Sequence, residues 1–138
     1  LIGLTEATSQ PDLDAFGTQY AQAWSSQRPK AVAAMFAEDG WIAINDEEPA
    51  RGREAVEGVA RGFMTDFPDL DVRCDCLAFV EGELRWHWTM KGTNTGPRGT
   101  GKAILISGYE SLVIGEDGLI VSAHGHFDQQ DWGRQLGG

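Results

Sequence analysis

Four polar residues near the C-terminus, Ser122, His124, His126 and Asp128, recur at every second position. In an extended strand that spacing puts all four on one face, with Val121, Ala123 and Phe127 on the other. Two imidazoles and a carboxylate can hold and relay a proton near neutral pH, so this face has the makings of a general acid–base site. The same alternation also describes an ordinary half-buried strand, with a wet face whose histidines bond backbone or water. Asp128 divides the same way. Beside aromatic walls its carboxyl would be pushed toward the range of a general base; otherwise it caps the turn Gln129–Trp132.

Other residues are candidates to meet a ligand. Leu84, Trp86, Trp88 and Met90 share one strand face, which is core or the wall of a cavity, while Arg85, His87 and Thr89 share the other. Glu110 keeps the parity of Ile104, Ile106 and Leu112, an otherwise apolar face, and an acid buried there needs a partner or a purpose. Tyr109 must then face the opposite way. Tyr20 lies on the apolar stripe of the first helix, where its hydroxyl needs a partner. Asn94, in Gly92-Thr93-Asn94-Thr95-Gly96, presents an amide at a cavity mouth or simply forms a turn. Trp24, Trp41 and Phe63 complete the set of expected aromatic walls.

The elements that must position these groups can be read from periodicity. Residues 1–11 are a weakly patterned leader and residues 12–138 one domain. Asp12 is a possible cap for a helix over 12–28, with Leu13, Phe16, Tyr20, Ala23 and Trp24 as its stripe. Pro29 opens a short second helix ending near Asp39-Gly40, followed by a strand over 41–44 and a polar loop from Asn45 to Gly52. A third helix over 53–67 stops at Pro68. The period then changes to two, with strands over 71–80, 83–92, 102–114 and 119–128. Three helices followed by an antiparallel meander make an α+β layer fold. Gly92, Gly96, Gly108 and Gly125 are expected to let the sheet bend around the helices and leave a mouth between the layers.

Composition narrows the classes of partner. The 138 residues carry a formal charge of −10, which disfavours nucleic acid and acidic membrane surfaces but not a small apolar or aromatic molecule. Cys74 and Cys76, two apart on one strand, are poorly placed for a disulfide and too few for a structural zinc site; they suit a cytoplasmic protein with reduced thiols. His124 and His126 supply two metal ligands at most, and His87 falls on the opposite face, so no metal is expected. Phosphate-cradling glycine motifs and the Gly-x-Ser-x-Gly elbow are absent. The outer sheet face with Arg85, His87 and Thr89 is weakly charged for open solvent, which predicts a homodimer.

Several stretches resemble a known family. Tyr20 to Asp39, Trp41–Ile44 and Arg51-Gly52-Arg53-Glu54-Ala55 resemble the opening of the nuclear-transport-factor-2-like superfamily. Lys91-Gly92-Thr93-Asn94-Thr95-Gly96, Ser107-Gly108-Tyr109-Glu110 with Gly115–Val121, and Phe127-Asp128 through Trp132-Gly133 to Gln135-Leu136-Gly137 resemble its SnoaL-like polyketide cyclase (ester cyclase) branch. The resemblance covers roughly residues 12–137. It implies a cone of strongly curved antiparallel sheet wrapped around three N-terminal helices, commonly dimeric, with an apolar cavity. It also implies intramolecular aldol closure without metal or organic cofactor. The essential acid of that chemistry matches Asp128, with His124 and His126 on its strand face to polarise the carbonyl. Asn94 stands where the motif usually has histidine. Related steroid isomerases match at Tyr20, but their two acids would fall near Ile44 or Asn45 and at Gly108. The expectation is therefore a cofactor-free acid–base enzyme of cyclase, aldolase or isomerase type, or else a non-catalytic small-molecule binding module on the same fold.

Overall fold

The structure, a computed structural model, describes residues 4–137. Helix α1 (Gln10–Ser25) starts inside the expected leader, because the hydroxyl of Ser9, not Asp12, caps it by accepting from the Asp12 backbone N–H at 3.3 Å. Its stripe of Leu13, Gly17, Tyr20, Ala21 and Trp24 is buried. Helix α2 (Pro29–Ala33) is only five residues long. Strand β1 (Phe36–Ile44) begins where the second helix was expected to continue. Phe36 pairs with Ile120 of β6, and hydrogen bonding to a strand outweighs the helical spacing of Met35 and Phe36. Strand β2 (Ala50–Arg51) follows, then α3 (Arg53–Asp66), which buries Val56, Ala60 and Met64. Strands β3 (Asp71–Val80), β4 (Glu83–Thr93), β5 (Ala103–Ile114) and β6 (Ile120–His126) form the expected meander, and α4 (Gln129–Gln135) closes the chain.

The architecture corrects the expected cone in three respects. The six strands lie in the order β2-β1-β6-β5-β4-β3, so the sheet is open, with β2 and β3 as edges, and it is not strongly curled. Closure would need β3 to find a partner beyond β4, and the two-residue β2 offers none. The sheet is also mixed rather than antiparallel, since β1 runs parallel to β6. Finally there are four helices among the described residues, because the last strand stops at His126, short of the expected residue 128, and Asp128 caps a helix.

Three of the four glycines read as bend points, Gly92, Gly96 and Gly108, answer to close packing, while a Cβ on Gly125 would make only ordinary contacts at 3.6 Å and beyond. A Cβ on Gly108 would meet the His126 carbonyl oxygen and, at 2.8 Å, Cζ2 of Trp88. One on Gly96 would strike the backbone of Thr65 and Asp66. The core lies between the helices and one sheet face: Leu84, Trp86, Trp88 and Met90 from β4 meet Ile104, Ile106 and Leu112 from β5. Arg85, His87 and Thr89 are half-buried on the outer face.

Candidate active site

A buried carboxyl organises the inner face of the sheet. Strand alternation carries Glu110 into the core, where it pairs across the ladder with Trp86 and Gly125 and is 5 % exposed. Helix α1 brings fully buried Tyr20 against it, and the phenol O–H donates to Glu110 Oε1 at 2.8 Å. Tyr20 is held by its neighbours, with its ring centroid 4.4 Å from that of Trp86. Trp86 is anchored in turn by its indole N–H, which donates to the Gly17 carbonyl at 3.1 Å. A Cβ on residue 17 would crowd that contact, coming within 2.7 Å of Cys74 Sγ.

The electrostatics follow from burial. Loss of water pushes the Glu110 carboxyl up to about 7, and the Tyr20 hydrogen bond opposes that rise. Tyr20 is raised well above its ordinary value by burial first and by the adjacent Glu110 charge second. The Trp24 indole lies near enough to the phenol to counter part of this without meeting hydrogen-bond geometry. The indole N–H groups of Trp24 and Trp88 are both buried with no acceptor among the described residues.

Glu110 is the one ionisable side chain on the wall of an inner cavity of about 50 Å³, room for a few waters or a small ligand group. The rest of that wall is Trp24, Ile44, Phe63, Val72, Trp86, Trp88, Met90, Gly125 and Phe127. An outer cavity of about 270 Å³ shares Ile44, Phe63 and Phe127 with it and adds Ile42, Glu47, Glu48, Ala50, Val59, Gln129 and Trp132.

Of the residues singled out in the sequence, the structure brings together Trp24, Phe63, Trp86, Trp88 and Glu110, with Tyr20 directly behind the carboxyl. It does not bring Asp128, His124 and His126 to them. The Asp128 carboxylate is exposed and accepts the backbone N–H groups of Gln130 and Asp131, each at 3.0 Å, as the cap of α4. His124 and His126 alternate with Ala123 and Gly125 and so take the opposite face from the cavity. There the His124 Nε2–H donates to the Asn45 carbonyl at 2.8 Å, and His126 stacks on Tyr109 with centroids 4.8 Å apart. Burial and the nearby His124 push the His126 imidazole down. Asn94 is a loop fastener: its amide donates to the Asp66 carbonyl and its Oδ1 accepts from the Thr100 N–H. Trp41 lines neither cavity and carries the Arg51 guanidinium 5.7 Å above its ring.

Sequence reading missed Phe127, Trp132, Glu47 and Glu48. Phe127 follows the end of β6, where strand parity no longer applies, and Trp132 belongs to a helix read as a polar tail. Its signal was present: an aspartate cap followed four residues later by a tryptophan. Among the described residues no three His, Cys, Asp or Glu side chains cluster as for a metal ion. None of the described helices is long and apolar enough to cross a membrane.

Comparison with known proteins bears on the family and the fold. The sequence pattern of SnoaL-like polyketide cyclases matches residues 15–136. No curated protein sequence matches the chain. Among solved structures, a hypothetical protein of ketosteroid isomerase-like fold from Catenulispora acidiphila, in complex with trimethylamine, superposes with a TM-score of 0.75 at 18 % identity, covering 94 % of this chain and 95 % of that one. TsrD from Streptomyces laurentii has a TM-score of 0.75 at 19 % identity, covering 94 % and 98 %. A proposed SnoaL-like polyketide cyclase from Jannaschia sp. has a TM-score of 0.72 at 11 % identity, covering 94 % and 97 %. At these identities the structural likeness establishes the fold, and the sequence pattern spanning nearly the whole chain establishes more: the protein belongs to the SnoaL-like polyketide cyclase family.

Proposed function

We propose that this chain is a cofactor-free acid–base enzyme acting on a small cyclic or polyketide-like carbonyl compound, with Glu110 as the proton-transferring group. One observation carries the reading: a carboxyl raised to about 7 stands alone on an apolar cavity wall with its Oε1 held by Tyr20. Such a carboxyl is substantially ionised at neutral pH and still basic enough to take a proton from carbon. In the step proposed, the C–H bond beside the substrate carbonyl breaks, its proton goes to Glu110 Oε2, and its electron pair moves into an enolate. The enolate carbon then attacks a second carbonyl, whose π pair moves to its oxygen and takes the proton back from Glu110, as in a cyclase or aldolase; or Glu110 returns the proton to another carbon of the delocalised enolate, as in an isomerase. Tyr20 is a positioning residue that leaves one carboxyl oxygen for the proton. The unpartnered indoles of Trp24 and Trp88 on the same wall suit a substrate oxygen.

The test needs no knowledge of the natural substrate. Small cyclic 1,3-dicarbonyl compounds incubated with the protein in D2O are expected to exchange the proton between their carbonyls faster than buffer alone, by NMR. Glu110→Gln abolishes the acceleration; acceleration that survives the substitution refutes the proposal.

A second reading, a non-catalytic binding module, is favoured by the narrowness of the inner cavity and the closed Tyr20–Glu110 pair. The trimethylamine complex of the Catenulispora protein supports small-molecule binding on this fold. Saturable binding without exchange distinguishes it. A homodimer through the outer face at Arg85, His87 and Thr89 belongs to the same proposal, supported by exposed Leu105 and Val113 on that side. Light scattering that finds only monomer at micromolar concentration rejects it.

A further inference from the structure

We infer that the outer cavity binds an alkylammonium group. The two cavities lie side by side, with Ile44, Phe63 and Phe127 common to both linings. Their linings differ sharply: the inner wall is apolar apart from one carboxyl, while the outer one combines aromatic rings with two acids and an amide.

The aromatic part is built as a corner. Trp132 meets Phe63 edge-to-face at 79°, with centroids 6.1 Å apart, and meets Phe127 at 71° and 5.5 Å. Rings set at steep angles to one another present both faces and edges to the space they enclose, and a ring face attracts a large, weakly hydrated cation. Glu47 and Glu48, from the loop between β1 and β2, supply the negative side, and among the described residues neither makes an ion pair. In a chain of formal charge −10 nothing on this wall favours an anion.

The donor set selects the kind of cation. A hard divalent ion takes six or more oxygens, and the cavity offers two carboxylates, one amide and three aromatic rings. An alkylammonium uses the rings and the acids together, and 270 Å³ accommodates it with its substituents. The cation site stands on the outer cavity alone, and the acid–base reading above on the inner one.

The experiment separates the two. Choline and its uncharged carbon isostere 3,3-dimethyl-1-butanol are titrated into the intact chain by calorimetry. Choline is expected to bind at least about fivefold more tightly, the ratio that one cation–aromatic contact supplies. Glu47→Gln with Glu48→Gln, both on an exposed loop, lowers that preference without unfolding the protein. Trp132→Leu keeps apolar bulk and weakens choline selectively. Equal binding of the two compounds, no saturable binding of either, or a preference undiminished by the double substitution overturns the proposal. Glu110→Gln leaves choline affinity unchanged while abolishing deuterium exchange, so failure of the acid–base reading shows in exchange alone and failure of the cation site in choline binding alone.

Discussion

Tyr20 and Glu110, 90 positions apart in the chain, share a 2.8 Å hydrogen bond between two buried side chains. The bond joins the first helix to the middle of the sheet, and it places a proton-carrying group on the wall of the inner cavity. Burial raises both groups, the Glu110 charge adds to the rise of Tyr20 while the Tyr20 hydrogen bond opposes that of Glu110, and this yields measurable consequences.

Replacement of Glu110 by Gln should preserve the fold and cost about two to four orders of magnitude in turnover, the usual contribution of a general acid–base group. The amide keeps the shape and still accepts from Tyr20 but cannot take a proton from carbon. The rate of deuterium exchange or of product formation, beside an unchanged circular dichroism spectrum, checks this.

Stability should fall as pH rises. The folded carboxyl of Glu110 lies at about 7 against an ordinary 4.5, so between those values the folded state binds more protons than the unfolded one. By linkage this contribution is fully present below about 4.5, declines through that window and is gone above about 7. Its size is on the order of 3 kcal/mol. Thermal unfolding at pH 5 and pH 8 should show a drop for the natural chain that is absent for Glu110→Gln.

Tyr20→Phe removes the one donor that favours the ionised carboxyl. Glu110 should therefore rise further, by about one unit. The rising limb of the pH–rate profile should move to higher pH by that amount. A purely structural Tyr20 would lower activity evenly at every pH.

Asp128 gives a sharp contrast because the sequence resemblance implies it as the essential acid, yet it caps α4 in this structure. Asp128→Asn preserves both cap and turnover, whereas Asp128→Ala loses about 1 kcal/mol of stability, since alanine cannot accept from the helix N–H groups. Loss of turnover in the Asn variant with the fold intact would return the catalytic role to Asp128.

Much of this protein was legible from local pattern. Alternation along residues 71–80, 83–92 and 102–114 placed Trp86, Trp88 and Glu110 on one face, and the structure has them there, because side-chain direction in a strand depends only on the backbone. Motif-level resemblance located the family. The order β2-β1-β6-β5-β4-β3, the parallel pairing of β1 with β6 and the open edges depend on which distant strands meet, and no local spacing encodes that. The same limit applied at the site. His124, His126 and Asp128 share a period, but which face of β6 meets the helices was decided by packing, and Ala123 and Gly125 are small enough to lie under that layer. Glu110 looked anomalous in the sequence. Only the folded chain could bring Tyr20 to it and surround the pair with rings that keep water out.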